Sequence, residues 1–305
     1  MTISTLPDVT EVVKDQIYLG DLKSARCPEQ LSVLGITHVI SICHDSVNYL
    51  SSSKVKHLRI LVKDSETEDL LIHLAEACQF MDHALRPSVG KRGMVFVHCM
   101  MGISRSPTVV AAYLMKTMNM SRPETIRYLQ KFRPQVHPNY GFVKQLDVFA
   151  NCSYEPSHHH PLYRSWKRRH LQDATSYLNY IHDTSELVRD KVFLSTEFPS
   201  ETIQAQSYLG DLNIAYVLSI SPAAHIVSDV LGVHAHQVEL PDDSADSMLR
   251  VLPEIFDYIT QAMERNGPLL IHSTNEMRLY TVACAFCANS LLSMFNLVLI
   301  MVILQ

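Results

Sequence analysis

Cys99 and Arg105 are the two side chains in this sequence whose types and spacing could do chemistry together, separated by five residues in Cys99-Met100-Met101-Gly102-Ile103-Ser104-Arg105. A cysteine thiolate is a nucleophile, and the planar guanidinium of arginine offers paired donors to two oxygens of a tetrahedral anion. The intervening Met100, Met101, Gly102, Ile103 and Ser104 form a loop whose successive backbone N–H groups can turn inward, a cradle for a phosphate dianion. Ser106 follows at once and brings a hydroxyl that can stabilise the sulfur as a leaving group. The chemistry suggested is attack of sulfur on phosphorus, with Cys99 as nucleophile and Arg105 and the loop amides holding the equatorial oxygens. It requires neither a metal nor a cofactor.

Both ends of such a loop need rigid supports. The apolar run Met94–Val97 reads as a strand that carries Cys99 to the cradle floor, and Pro107 reads as the first position of a helix. The N-terminus of that helix points back at the sulfur and favours the anionic thiolate. His98 precedes the nucleophile on the strand and points the other way, so it is expected to order the loop rather than to transfer protons. Thr108–Met115 is apolar nearly all round, as a helix buried behind the loop would be. Upstream, Gln16–Gly20, Leu34–Ile42 and His57–Val62 read as strands and their turns, and Glu68–Leu85 has apolar residues at helical spacing. Ser121–Phe132 reads as a further amphipathic helix. Strands alternating with helices predict an α/β domain with a mostly parallel central sheet flanked by helices.

His98, Cys99, Arg105 and Ser106 match the His-Cys-x5-Arg-Ser signature of the cysteine-dependent protein phosphatases, and the sequence resembles their dual-specificity group in particular. Arg133-Pro134, Pro138-Asn139, Gly141-Phe142 and Gln145-Leu146 extend the likeness over about residues 10–150, half of the chain. The resemblance implies a phosphocysteine intermediate and phosphotyrosine and phosphoserine/threonine proteins as substrates. It places the general acid and base at Asp64, on the loop after His57–Val62, with Glu66, Glu68 and Asp69 as nearby alternatives. Met100 and Met101 stand where lipid-directed relatives tend to carry lysines, which disfavours phosphoinositides.

Composition fits this reading. With 47% apolar and 19% charged residues, 305 residues can bury more than one core, and two domains are expected. Seven cysteines, an odd number without an N-terminal apolar signal, do not form a disulfide framework, so a reducing compartment, cytoplasm or nucleus, is expected. Residues 1–150 carry 17 basic against 14 acidic side chains, whereas residues 186–305 carry 5 against 14. The acidic third segment attracts neither nucleic acid nor anionic lipid.

Residues 151–185 read as a linker, part-helical from Tyr163 onward. His158-His159-His160 and Lys167-Arg168-Arg169-His170 there read as solvated polar tracts rather than as a metal site or a docking patch. An internal repeat then begins. Asp190–Leu194 echoes Asp15–Leu19, Tyr216–Ile220 echoes His38–Ile42, His236–Asp243 echoes His57–Asp64, and Pro268–His272 echoes the strand into the signature. Residues 186–305 are therefore expected to be a second, degenerate phosphatase-like domain, atypical at its C-terminus. Ser273 replaces the nucleophile, no glycine follows, Glu276 brings negative charge, Leu279 occupies the arginine register with Arg278 one residue early, and Asp243 persists at the acid position. Leu279–Leu304 holds no charge, and its end reads as an atypical core element rather than a membrane anchor. Cys284-x-x-Cys287 within it reads as a buried pair rather than a zinc site. The apolar faces of two copies favour intramolecular contact between them, and kinases are candidate partners beside phosphoprotein substrates. Two rival readings keep parts of the pattern: a non-catalytic phosphoprotein- or kinase-binding scaffold, and sulfur transfer on a rhodanese-like loop.

Overall fold

The computed structural model describes residues 9–45, 55–86, 93–224, 231–242 and 244–303, with side chains described as far as residue 289. The chain divides into two compact units, Met1–Ala174 and Thr175–Gln305. The first is built from β1 (Val9–Val13), β2 (Ile17–Gly20), α1 (Leu22–Ala25), α2 (Pro28–Val33), β3 (His38–Ile42), β4 (Lys56–Ile60) and α3 (Leu71–Leu85). Then come β5 (Val95–His98), α4 (Arg105–Met118), α5 (Arg122–Phe132), α6 (Tyr140–Asn151) and the start of α7 (Pro161–Asp183).

The first sheet is mixed, in the order β1-β2-β5-β3-β4. Only the edge strand β1 runs antiparallel to its neighbour, and β2, β5, β3 and β4 pair in parallel. Helices cover both faces, as a parallel sheet buried on both sides requires. Leu71, Leu74, Cys78 and Met81 of α3 pack with Val109, Val110 and Leu114 of α4 and Phe142, Leu146 and Phe149 of α6 in one core. Ala25 and Leu31, on α1 and α2, pack with Tyr18, Val39 and Phe96 on the other face. All four residues of β5 are buried. It is the middle strand, so its C-terminal end delivers Cys99 to the crevice where parallel sheets present ligands.

Three differences from the sequence reading have simple causes. α4 starts at Arg105, so Pro107 sits at its third position instead of its first. Proline is tolerated there because the first-turn N–H groups have no intrahelical partner. Pairing of β3 with β4 ends at Ile42 with Ile60, which leaves residues 61–70 as a loop. Within residues 151–185, Pro161–Asp183 is one continuous helix, and its apolar side buries Tyr163, Trp166 and Ala174.

The second unit has β6 (Ser185–Val188), β7 (Val192–Ser195), α8 (Thr202–Asp211), β8 (Tyr216–Ile220), β9 (His234–Val238), α9 (Ala245–Glu264), β10 (Leu269–His272) and α10 (Glu276–Ile303). Its sheet runs β6-β7-β10-β8-β9, with β6 antiparallel to β7 and the remaining neighbours parallel. Val192, Leu218, Ile220, Ile255, Ile259, Leu269, Ile271 and Val282 form its core. Asp243 and the side chains of the apolar tail lie outside the described residues. Among the described residues, no helix is long and apolar enough to cross a membrane. Cys284 and Cys287 are exposed, against the buried pair expected.

Candidate active site

Cys99 is 1% exposed at the end of β5. The carbonyls of the loop after it all face back into the protein. Met100 O accepts from Leu22 N at 3.1 Å, Ile103 O from His137 N at 2.8 Å, and Ser104 O from Thr108 N at 3.1 Å. Arg133 reaches in from the end of α5 to hold the two between, Nε to Gly102 O at 2.9 Å and Nη2 to Met101 O at 3.2 Å. A trans peptide sets each N–H opposite the preceding carbonyl. Tying back five successive carbonyls therefore turns the N–H groups of residues 101–105 to the opposite side, over the sulfur. Gly102 N–H donates to Cys99 Sγ at 3.2 Å. Gly102 has φ +69° and a Cβ there would lie 2.7 Å from Gly20 O, so the turn admits no side chain.

Ser106 Oγ, in the first turn of α4, donates to Cys99 Sγ at 3.3 Å. Two donors and the N-terminus of α4 thus converge on one sulfur. His98 is fully buried; Ser41 Oγ lies 2.6 Å from its Nε2 and 2.8 Å from His57 Nε2. Burial pushes His98 down to about 4, so the ring is neutral and contributes order without charge. Burial also pushes the nearby Cys43 thiol up.

Arg105 is buried, its Nη1 donating to Val62 O at 3.3 Å. Its Nε lies 3.4 Å from Asp64 Oδ2 but makes no hydrogen bond, leaving a buried donor unspent at the cradle. Asp64 stands across from the loop, on residues 61–70. Its Oδ1 accepts from Ser104 Oγ at 2.6 Å and from Asn139 Nδ2 at 2.9 Å. Asn139 also donates its backbone N–H to Ser104 Oγ at 3.1 Å, and its side chain caps α6 by accepting from Phe142 N. Of the alternative carboxylates, Asp69 caps the first turn of α3 through Ile72 N and accepts from Tyr163 and Lys167 on α7.

The structure thus brings Cys99, Gly102, Ser104, Arg105, Ser106 and Asp64 into one hydrogen-bonded site, and turns Met100 and Met101 outward, 39% and 62% exposed, at its mouth. Arg133 and Asn139, quoted from the sequence without a role, hold the loop and Asp64. No local pattern marks such residues, because the carbonyls held by Arg133 lie 31 and 32 positions away. Among the described residues no group of three or more metal-ligating side chains is clustered to hold a metal ion. What the arrangement can do is bind a tetrahedral dianion with a sulfur beneath it and a carboxyl group above it.

Residues 17–152 match the family described as dual specificity phosphatase, catalytic domain. Human dual specificity protein phosphatase 22 is 34% identical over 171 residues, which covers 54% of this chain and 86% of that protein. Tyrosine-protein phosphatase yvh1 of Schizosaccharomyces pombe is 33% identical over 169 residues, 55% of this chain and 49% of that protein. The chain spans a smaller share, 34%, of the Drosophila melanogaster dual specificity protein phosphatase Mpk3. Among solved structures, the Yvh1 phosphatase domain from Chaetomium thermophilum is similar at 30% identity and a TM-score of 0.46, covering 49% of this chain and 100% of that one. By the family match over residues 17–152 and the likeness to human dual specificity protein phosphatase 22, the chain belongs to the dual-specificity phosphatase family.

Proposed function

We propose that the first unit is a protein phosphatase that hydrolyses phosphotyrosine and phosphoserine/threonine on proteins through a phosphocysteine intermediate. The Cys99 thiolate attacks phosphorus in line with the leaving oxygen; the S–P bond forms and the P–O bond breaks. Loop amides and Arg105 hold the three equatorial oxygens, and the unspent Nε of Arg105 takes one of them. Asp64 gives its proton to the leaving oxygen, then takes one from the water that attacks the phosphocysteine. Sulfur leaves as thiolate, stabilised by Ser106 Oγ, and inorganic phosphate is released. The observation that carries this reading is the loop of tied-back carbonyls over Cys99, faced by Asp64 beside Arg105. A scaffold would need the cradle without an opposing carboxyl group, and sulfur transfer would need neither Asp64 nor Ser106.

The second unit supports a non-catalytic reading. Its strand order repeats that of the first, yet only Ser273, Thr274 and Asn275 separate β10 from α10, against the six residues Cys99 to Ser104 between β5 and α4. Three residues cannot encircle a phosphate. Arg278 is spent on backbone, Nη1 on Ser221 O and Nη2 on Asp242 O. We read this unit as a degenerate phosphatase domain with a binding or regulatory role. Seven free cysteines fit action in the cytoplasm or nucleus.

The test is turnover by the full chain of phosphotyrosyl and phosphoseryl peptides and of a small aryl phosphate, beside Cys99→Ser and Arg278→Ala. Release of phosphate that Cys99→Ser abolishes and Arg278→Ala leaves unchanged is expected. Binding of the peptides without turnover would favour the scaffold.

A further inference from the structure

The loop that carries Asp64 has no regular structure over residues 61–70, yet a general acid must hold its proton within hydrogen-bond reach of one oxygen. Two helices grip this loop. From α6 and the turn before it, Asn139 holds Asp64, and Gln145 accepts from Leu71 N at 2.7 Å and donates to Glu68 O at 2.8 Å. The Gly141 Cα lies so close to Glu66 that a Cβ would fall 2.1 Å from its carbonyl oxygen.

α7 takes Asp69, which α6 leaves. Tyr163 OH donates to Asp69 Oδ2 at 2.7 Å, and Lys167 Nζ donates to the same oxygen at 2.8 Å. Tyr163, Trp166 and His170 lie on one helical face at i, i+3 and i+7, each less than a tenth exposed, with the Trp166 and His170 rings 4.3 Å apart. Burial and the Asp69 carboxylate push the Tyr163 hydroxyl up, so it keeps the proton it donates. Asp173, one turn on, accepts from Tyr140 OH at 2.9 Å and ties α7 to α6. All of these α7 residues lie beyond residues 17–152 that match the family.

Resting on the assignment of Asp64 as general acid, we infer that α7 is a strap that sets the acid loop, with Tyr163 and Lys167 as positioning residues acting through Asp69. Asp69 is the coupling point. Its Oδ1 caps the first turn of α3 through Ile72 N while its Oδ2 receives α7, so one carboxylate joins strap, loop and helix. The carbonyls of the cradle are anchored separately, by Arg133, Leu22, His137 and Thr108, so loosening the strap displaces the acid and spares the nucleophile.

Leaving-group dependence separates this role from a loss of fold. In the full chain, Tyr163→Phe should lower kcat on a phosphoseryl peptide roughly tenfold, below the about 10²-fold that a misplacement of 1 Å can cost. KM should be unchanged, and turnover of nitrophenyl phosphate, whose leaving group needs no proton, should stay within about twofold. Lys167→Met, acting on the same oxygen, should repeat the pattern more weakly. Added to Asp64→Ala, Tyr163→Phe should cost nothing further, because it acts through the missing acid. Equal losses on both substrates, or an additive loss on top of Asp64→Ala, would overturn the strap. So would a neutral Tyr163→Phe while Asp64→Ala still slows the phosphoseryl peptide, which leaves the mechanism standing. A neutral Asp64→Ala would overturn the mechanism and the strap together.

Discussion

Replacing Arg133 by methionine removes a buried guanidinium, 2% exposed, and leaves a chain of similar volume without donors. Two of its three identified hydrogen bonds hold Gly102 O and Met101 O, and the third reaches Thr10 Oγ1 at 3.2 Å. Hydrogen bonds to a charged group contribute about 1.5–3 kcal/mol each, so the two carbonyls represent about 3–6 kcal/mol. Relief from burying the arginine charge offsets part of this, which places the net loss near the low end, about 3 kcal/mol. For a unit of this size each kcal/mol moves the midpoint by about 2–4 °C, so Tm should fall by roughly 6–12 °C. Trp166 is the only tryptophan and is buried in the first unit, so its fluorescence follows that unit's unfolding. Free carbonyls also let the loop amides turn away from the ligand. Competitive inhibition by inorganic phosphate should therefore weaken by about tenfold, on the order of 1.4 kcal/mol. A transition shifted by less than about 2 °C, with unaltered phosphate inhibition, would refute the claim that Arg133 sets the cradle.

Two further outcomes follow from the same geometry. Asp64→Ala should lower kcat by roughly 10²-fold on substrates with poor leaving groups, with a smaller effect on activated aryl phosphates. If Asp64→Ala is neutral and Asp69→Ala reproduces the loss, the acid is misassigned. His98, held down to about 4 by burial, stays neutral in the fold at pH values where the unfolded chain, near 6.5, takes up a proton. Stability should therefore fall by about 3 kcal/mol as pH drops from 6.5 to 4, and His98 makes it no further pH-dependent above the unfolded value. Urea midpoints of the wild type against His98→Asn across that range measure it, and parallel curves would contradict it.

What was legible in the sequence is what is local. Cys99, Arg105 and Ser106 lie within eight residues, on a loop between a strand and a helix, and their spacing alone brings them around one anion. Apolar periodicity likewise marked α3, and amphipathic spacing marked α5. Residues that act across the fold left no such trace. Arg133 and Asn139 serve a loop more than thirty positions away, and the sequence marked them only through the family likeness, without a role. α7 was partly concealed by Lys167, Arg168 and Arg169, whose charge suggests a solvated linker, although Tyr163, Trp166 and His170 carry a helical spacing. The edge strand β1 is five residues long and its antiparallel pairing with β2 depends on a tight turn through Asp15 at φ +53°, a conformation that sequence period does not report.

The central claim is that phosphorus passes through the sulfur of Cys99. Rapid acid quench of the full chain turning over a phosphopeptide, followed by mass analysis of the peptide containing Cys99, tests it directly. The account predicts one added phosphoryl group on Cys99, enriched in Asp64→Ala with an activated aryl phosphate, where the intermediate forms but its hydrolysis lacks a base, and absent in Cys99→Ser. Phosphate release at the full rate with no phosphorylated Cys99 at any quench time, or turnover retained by Cys99→Ser, would contradict it.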